Sequence, residues 1–182
     1  MSAARASGVV EGRAIVLGDD VNTDNILPGP YLNVTDPEEL GRHLLETYGD
    51  GVAERVAPGD ILVGGRNFGM GSSREQAQIA IRARGVPIVV AASFARIFLR
   101  NAINVGLPAV ESAEAAAAIR DGDHLRIDLA EGTIDRAGDR WRIPAQPAFL
   151  AELIDAGGLV EWTRRRLQAQ THAGHRPKGS PR

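Results

Sequence analysis

Two serines and an arginine follow the last of four glycines in residues 64–76, GGRNFGMGSSREQ, and chemistry would concentrate on that grouping. Gly64, Gly65, Gly69 and Gly71 allow backbone shapes closed to other residues, so a ligand can approach the main chain closely there. Ser72 with Glu75, or Ser73 with Gln76, has the spacing of a capping box, which predicts a helix over residues 73–84 with Ser72, Ser73 and Arg74 at its start. Exposed N–H groups and the positive end of the helix dipole would favour a carboxylate or phosphate, and Arg74 would add a two-pronged clamp. Taken alone, GSSRE reads as well as a plain cap beside a solvated arginine. With no Lys after the last glycine and no G-x-G-x-x-G pattern, the loop is neither a Walker phosphate loop nor a dinucleotide fingerprint.

A second polar cluster lies in residues 18–32, GDDVNTDNILPGPYL, where Asp19, Asp20 and Asp24 stand among Asn22, Thr23 and Asn25. Alone it reads as a turn with Asx caps, or at most a weak divalent-ion loop without the downstream bidentate Glu. A third segment, residues 93–108, SFARIFLRNAINVGLP, has the spacing of a packed helix whose Arg96 and Arg100 share a solvated face.

The elements that must position these groups follow from periodicity. Strands are expected at residues 13–18, 60–63, 87–91 and 107–110, with helices at 36–45, 73–84, 94–102 and 113–120 between or after them. Asp36 caps the first helix and Pro37 suits its first turn. Strands at residues 124–129, 132–135 and 140–143 and a helix at 147–156 complete a βαβα centre with a β-rich end. We expect an extension over residues 1–12, one domain over 13–169 and a disordered tail over 170–182, QTHAGHRPKGSPR, because that stretch carries no acid and little apolar surface.

Composition narrows the function. At 182 residues and 43% hydrophobic content the chain can bury one substantial core. Its 21 basic groups against 23 acidic ones give a net charge of -2, which offers no general attraction for nucleic acid or an anionic membrane. Its longest apolar run, residues 86–92, is far short of the roughly 20 residues of a membrane span, and no secretory signal precedes the body, so a cytoplasmic protein is expected. Zero cysteines exclude disulfides, thiolate catalysis and an iron–sulfur cluster ligated by cysteines of this chain, and four scattered histidines make a zinc site of its own improbable.

The three segments, in this order and at these separations, resemble the isopropylmalate dehydratase small-subunit family and the swivelling domain of aconitase. The resemblance covers residues 18–32, 65–75 and 93–108, and the intervening chain fits it. It implies an α/β fold, a single swivelling β/β/α domain, closing over a site whose 4Fe–4S cluster is held by cysteines of a separate large subunit in a heterodimer or heterotetramer. It implies that Ser72 removes a carbon-bound proton and that Arg74 binds a substrate carboxylate. By the same resemblance Asp24 supports hydrogen bonding or proton transfer, Ser73 and Gly71 line the pocket, and Tyr31, Leu32, Asn33 and Val34 form the substrate-specificity segment. The implied reaction is reversible dehydration of a small hydroxy dicarboxylic acid, 2-isopropylmalate to 3-isopropylmalate in leucine biosynthesis. The alternatives are a dimethylmalate, methylaconitate or homoaconitate hydro-lyase, or a non-enzymatic anion-binding module. Residues 31–34 contain no Arg to meet a third carboxylate, which favours a neutral, partly apolar substituent. Many relatives read GSSREHA, where this chain has Gln76, a group that hydrogen-bonds but does not titrate near neutrality.

Overall fold

The computed structural model describes residues 8–173. In chain order these form β1 (Val9–Val16), the single helical turn α1 (Thr23–Ile26), a 3-10 turn (Gly29–Asn33), α2 (Pro37–Arg42), the short α3 (Val52–Arg55) and β2 (Ile61–Gly64). There follow α4 (Gln76–Ala83), β3 (Val89–Ala91), α5 (Arg96–Val105), β4 (Ala109–Glu111) and α6 (Ala113–Ala118). The antiparallel strands β5 (His124–Asp128), β6 (Thr133–Arg136) and β7 (Asp139–Arg142) come next, then α7 (Ala148–Ala156) and α8 (Leu159–Ala173).

Every residue of β2 is buried, the signature of a strand covered on both faces. The sheet order is β4-β3-β2-β1-β5-β6-β7, parallel from β4 to β1 and antiparallel from β1 to β7. Alternation along the strands separates two cores. Ile15, Leu62, Val89 and Ala91 face the helices α1, α2, α4 and α5 with Leu40, Ile81 and Phe98. Their neighbours Ala14, Ile61, Val63, Ile88 and Val90 face the other way and meet Leu125, Ile127 and Ile134, because the sheet curls its antiparallel half over its parallel half. The layers are therefore helix, sheet, sheet: one α/β domain of the β/β/α kind. Where α2 crosses α4, a Cβ on Gly41 would lie 3.0 Å from Ala83 and Arg84, so glycine sets that close approach.

Several boundaries differ from expectation for local reasons. β1 reaches back to Val9, into the expected extension, because Val9 and Val10 pair with Asp128 and Ile127. Residues 1–7 of that extension and 174–182 of the expected tail lie outside the described residues, while 170–173 continue α8, a helix not anticipated. α2 stops at Arg42 rather than running through Leu45. The Leu45 N–H turns away at positive φ and donates to the carbonyl of Ile26 (2.9 Å), although Leu44 and Leu45 are still buried. α5 begins at Arg96 rather than Phe94 and runs on to Val105, with Phe98 buried and Ile97 exposed. Among the described residues no helix is long and apolar enough to cross a membrane.

Candidate functional site

Beyond the ends of β1 and β2 the two chains continue side by side as an irregular ladder. Leu17 N–H donates to Val63 O (2.7 Å), Gly65 to Gly18 O (3.0 Å), Asp20 to Arg66 O (2.8 Å), Gly69 to Val21 O (2.7 Å) and Thr23 to Met70 O (2.8 Å). Pairing β1 with β2 thus carries the polar cluster of residues 18–25 alongside the glycine-rich loop, so two motifs nearly fifty residues apart share one place. The close approach requires glycine: a Cβ on Gly65 would fall 2.0 Å from Asp19 Oδ1, and Gly69, at φ +77, would push one into the Phe98 ring at 2.2 Å. Phe68, Phe94 and Phe98 form a packed aromatic floor under the loop, with centroids 5.2–5.7 Å apart. Asp19 clips the loop's entry. It accepts the Arg66 N–H (2.7 Å) and the Arg66 guanidinium (2.8 and 3.0 Å), and those bonds hold its carboxyl below the usual carboxylate range.

The helix after the loop starts later than its sequence spacing suggests. Neither capping box forms; α4 begins at Gln76, and Glu75 caps it without a side-chain hydrogen bond. Groups distant in sequence claim the backbone first. Thr23 Oγ1 accepts the Ser72 N–H (3.0 Å), and Asn101 Nδ2 donates to the Ser73 carbonyl (2.8 Å). The buried Gln78 amide, turned so that its nitrogen has two acceptors, donates to the carbonyls of Glu75 (3.1 Å) and Arg74 (3.3 Å). The opposite orientation offers only a 3.5 Å contact with Phe98 O, so the first is preferred. Residues 72–74 therefore stay outside the helix. Ser72 is half-buried and its Oγ faces the Arg74 N–H at 3.4 Å, while Ser73 and Arg74 are exposed and Gly71 takes φ +102. The Arg74 guanidinium has no hydrogen-bond or salt-bridge partner among the described residues.

Asp24 sits in the first turn of α1. The capping box of this region is here: Asn22 Oδ1 accepts the Asn25 N–H (2.7 Å) and Asn25 Oδ1 accepts the Asn22 N–H (3.2 Å). What reads as a turn is a one-turn helix that fixes the Asp24 backbone. The carboxylate of Asp24 is exposed and unpaired among the described residues. Thr23, between Asn22 and Asp24, is the residue that sequence reasoning passed over. It is 5% exposed, and its backbone N–H and its hydroxyl grip Met70 and Ser72. Its sequence carries no signal of this, since within a run of polar residues its type does not mark it as the buried one. The structure brings Asp24, Gly71, Ser72 and Arg74 into one neighbourhood through it.

The segment of residues 31–34 is pinned twice. Tyr31 stacks on His43 (3.6 Å between centroids, 11° between planes), and its hydroxyl donates to Glu46 Oε1 (3.3 Å), whose other oxygen lies 2.6 Å from His43 Nδ1. Partial burial, then the Glu46 carboxylate, keeps the Tyr31 phenol above its ordinary pKa and so protonated. Gln76 Nε2 donates to the Leu32 carbonyl (3.2 Å), tying this segment to the start of α4. Leu32 and Val34 pack against the helix-side core, and Asn33 is exposed.

A cavity of about 460 Å³ lies at the entry of both loops, between Gly18, Gly65 and Ala92 and the α6 residues Ala113 and Ala116. Its charged lining, Asp19 and Arg66, is mutually neutralised, so it offers no free acid, base or anion clamp. On the Ser72 loop, by contrast, Ser73 and Arg74, whose guanidinium is unpartnered among the described residues, are exposed. A 4Fe–4S cluster does not fit this chain's own residues: there is no cysteine, and among the described residues no three His, Asp or Glu side chains converge.

Residues 22–115 match the family of the aconitase C-terminal domain. Among curated proteins, the chain is 50% identical over 162 residues to the 3-isopropylmalate dehydratase small subunit of Moorella thermoacetica, covering 88% of this chain and 98% of that one. It is 46% identical over 162 residues to the protein of the same name from Aquifex aeolicus, covering 87% and 96%. Among solved structures, 3-isopropylmalate dehydratase (LeuD) from Methanocaldococcus jannaschii superposes with a TM-score of 0.85 at 43% identity, over 92% of this chain and all of that one.

Proposed function

The chain belongs to the aconitase C-terminal domain family, alongside the small subunits of 3-isopropylmalate dehydratase, and on that premise we propose how its residues serve the reaction. It is the small subunit of a hydro-lyase that interconverts 2-isopropylmalate and 3-isopropylmalate in leucine biosynthesis, acting in the cytoplasm with a large subunit. That partner, in a heterodimer or heterotetramer, brings the 4Fe–4S cluster and its cysteines.

Dehydration removes a hydrogen from one carbon and a hydroxyl from its neighbour, and this chain handles the first. Ser72 Oγ takes the carbon-bound proton. A serine hydroxyl is a weak acid, so its charged form needs donors aimed at it. The Arg74 N–H already faces that oxygen, and Thr23 fixes the Ser72 backbone. Arg74 holds a substrate carboxylate with its planar fork, while Ser73 and Gly71 line the same side. Asp24, on its capped turn, accepts or relays a proton next to Ser72. Residues 31–34 wall the substrate's variable group; the apolar Leu32 and Val34 suit an isopropyl substituent and offer a third carboxylate no cation.

The observation that supports this reading is that Thr23, next to the exposed and unpaired Asp24, accepts the N–H of half-buried Ser72, two residues before an Arg74 guanidinium with no partner among the described residues. It is tested by anaerobic co-expression with the large subunit and turnover of a panel of hydroxy diacids. Ser72→Ala should lower kcat at least about 10²-fold with little change in KM, whereas Ser73→Ala should leave most turnover in place. The reverse pattern would place the base on Ser73, and no effect from either would reduce the loop to an anion-binding scaffold.

A further inference from the structure

One side chain, Gln76, joins two parts of the site. We propose that Gln76 is a positioning residue for substrate selection: through its amide bond to the Leu32 carbonyl it holds residues 31–34 in register with the Ser72 loop. This rests on the functional reading above, in which residues 31–34 face the substrate's variable group.

The two ends of the link differ in rigidity. Gln76 is the first residue of α4, whose Ala77, Gln78, Ala80 and Ile81 are buried, so its backbone is fixed by the core. Leu32 lies near the end of a 3-10 turn that follows Pro28, is closed by the Val34 N–H on Tyr31 O, and has no side-chain cap. Such a turn depends on outside contacts to keep its shape. Besides the packing of Tyr31, Leu32 and Val34 on the helix-side core, two polar contacts hold it. The Tyr31 ring is held by His43 and Glu46 on the far side, and the Leu32 carbonyl is held by Gln76 on the side of the Ser72 loop. Losing the first would free the Tyr31 ring, and losing the second would leave the backbone of residues 32–34 held only by the packing of Leu32 and Val34 on the core.

The catalytic loop does not depend on this link. Ser72 is fixed by Thr23, the Ser73 carbonyl by Asn101, and the carbonyls of Arg74 and Glu75 by Gln78. A change at Gln76 that removes only its donor should therefore loosen the wall around the variable group while leaving the proton-transfer geometry in place. Gln76 is also half-buried rather than open like Arg74, which suits a group that braces the wall and does not itself meet substrate.

The test uses the assembled complex carrying Gln76→Met, which keeps length and removes the donor, and Gln76→His, which restores an N–H at similar reach. Turnover is measured with isopropylmalate and with a hydroxy diacid bearing a carboxylate-containing side group. Amide exchange of residues 31–34 is followed in parallel. Gln76→Met should raise the isopropylmalate KM roughly three- to tenfold, the effect of one lost hydrogen bond, with kcat nearly unchanged. Preference between the two acids should fall by a similar factor, and exchange at residues 32–34 should quicken. Gln76→His should restore all three, and neither variant should lower Tm by more than the few degrees that one lost hydrogen bond costs. Unchanged KM, preference and exchange in Gln76→Met would overturn the proposal. So would faster exchange with preference intact, which would make the bond structural only, or a collapse of kcat, which would place Gln76 in the chemical step. A parent complex inert toward every hydroxy diacid would instead sink the functional reading, and the exchange measurement would then decide the tether alone.

Discussion

Replacing Thr23 with valine separates folding from chemistry at the centre of the site. The change keeps the side-chain shape and removes the hydroxyl that accepts the Ser72 N–H at 3.0 Å. Thr23 is 5% exposed, so water cannot freely replace that acceptor. An unsatisfied, partly buried N–H costs about 1 to 3 kcal/mol. For a domain of this length each kcal/mol lowers Tm by about 2 to 4 °C, so a loss near 2 kcal/mol should appear as a drop of about 4 to 8 °C. The kinetic effect should be larger in proportion. Freed from Thr23, the Ser72 backbone can shift by part of an ångström, and a misplacement approaching 1 Å costs up to about 10²-fold in rate. Calorimetry of the small subunit and steady-state kinetics of the complex read the two effects separately. Thr23→Ser, which keeps the hydroxyl, should recover most of kcat while remaining somewhat destabilised by the lost methyl. If Thr23→Val lowered Tm as expected and left kcat at the parental value, the reasoning that Thr23 aims Ser72 would be refuted.

Two further outcomes follow from groups already described. Arg74→Lys keeps the charge and loses the planar fork, so KM should rise with a smaller fall in kcat and no change in Tm; a large kcat loss at constant KM would move Arg74 from binding to chemistry. Asp60 accepts Arg13 Nε (3.2 Å), Arg13 Nη2 (2.7 Å) and the Ala57 N–H (2.9 Å). Burial by itself pushes its carboxyl up, and these bonds together outweigh it, so the folded pKa lies below the ordinary value of about 3.9. The stability it contributes is fully present above that value and is lost as pH falls through the lower folded one. Melting temperature should therefore decline below about pH 4, and Asp60→Asn should be less stable at neutrality by about 1 to 3 kcal/mol with a flatter acid limb. An acid limb identical in parent and variant would remove Asp60 from the account.

Much of the fold was legible because it rests on local pattern. The apolar run of Ile61, Leu62 and Val63 between glycines reads as a covered strand, and Asp36 before Pro37 reads as a helix start; both are as expected, within a residue or two. What failed to show was set by partners far along the chain. The Ser72–Glu75 spacing is that of a capping box, yet Thr23 takes the Ser72 N–H that the box would use, while Asn101 and Gln78 hold the carbonyls of Ser73, Arg74 and Glu75 outside the helix. The Asn22–Asn25 pair has the same spacing and does cap, but a helix of four residues has no periodicity to announce it. Helix α8 went unread because Gly157 and Gly158 close α7 and the polar stretch beyond lacks a clear apolar stripe. In the site, Ser72, Arg74 and Asp24 were visible as residue types. Thr23, Asn101, Gln78 and Gln76 emerge only from contacts that no spacing rule encodes.

β1 belongs to both halves of the sheet, with Ala14 beside Ile61 on one edge and Gly12 beside Leu125 on the other. This sets an order of events during synthesis. The parallel half can close once residue 111 has left the ribosome, while the outer edge of β1 waits for residues 124–128. Until then an eight-residue strand shows a row of unpaired N–H and C=O groups to its surroundings, an open template for pairing with another nascent chain. Gly12 tightens the requirement, since a Cβ there would meet the Gly59 carbonyl at 2.1 Å and keep the waiting strand from seating at all. Substitutions at Gly12 should accordingly reduce the yield of soluble chain through aggregation during folding, even though they lie far from the reacting groups.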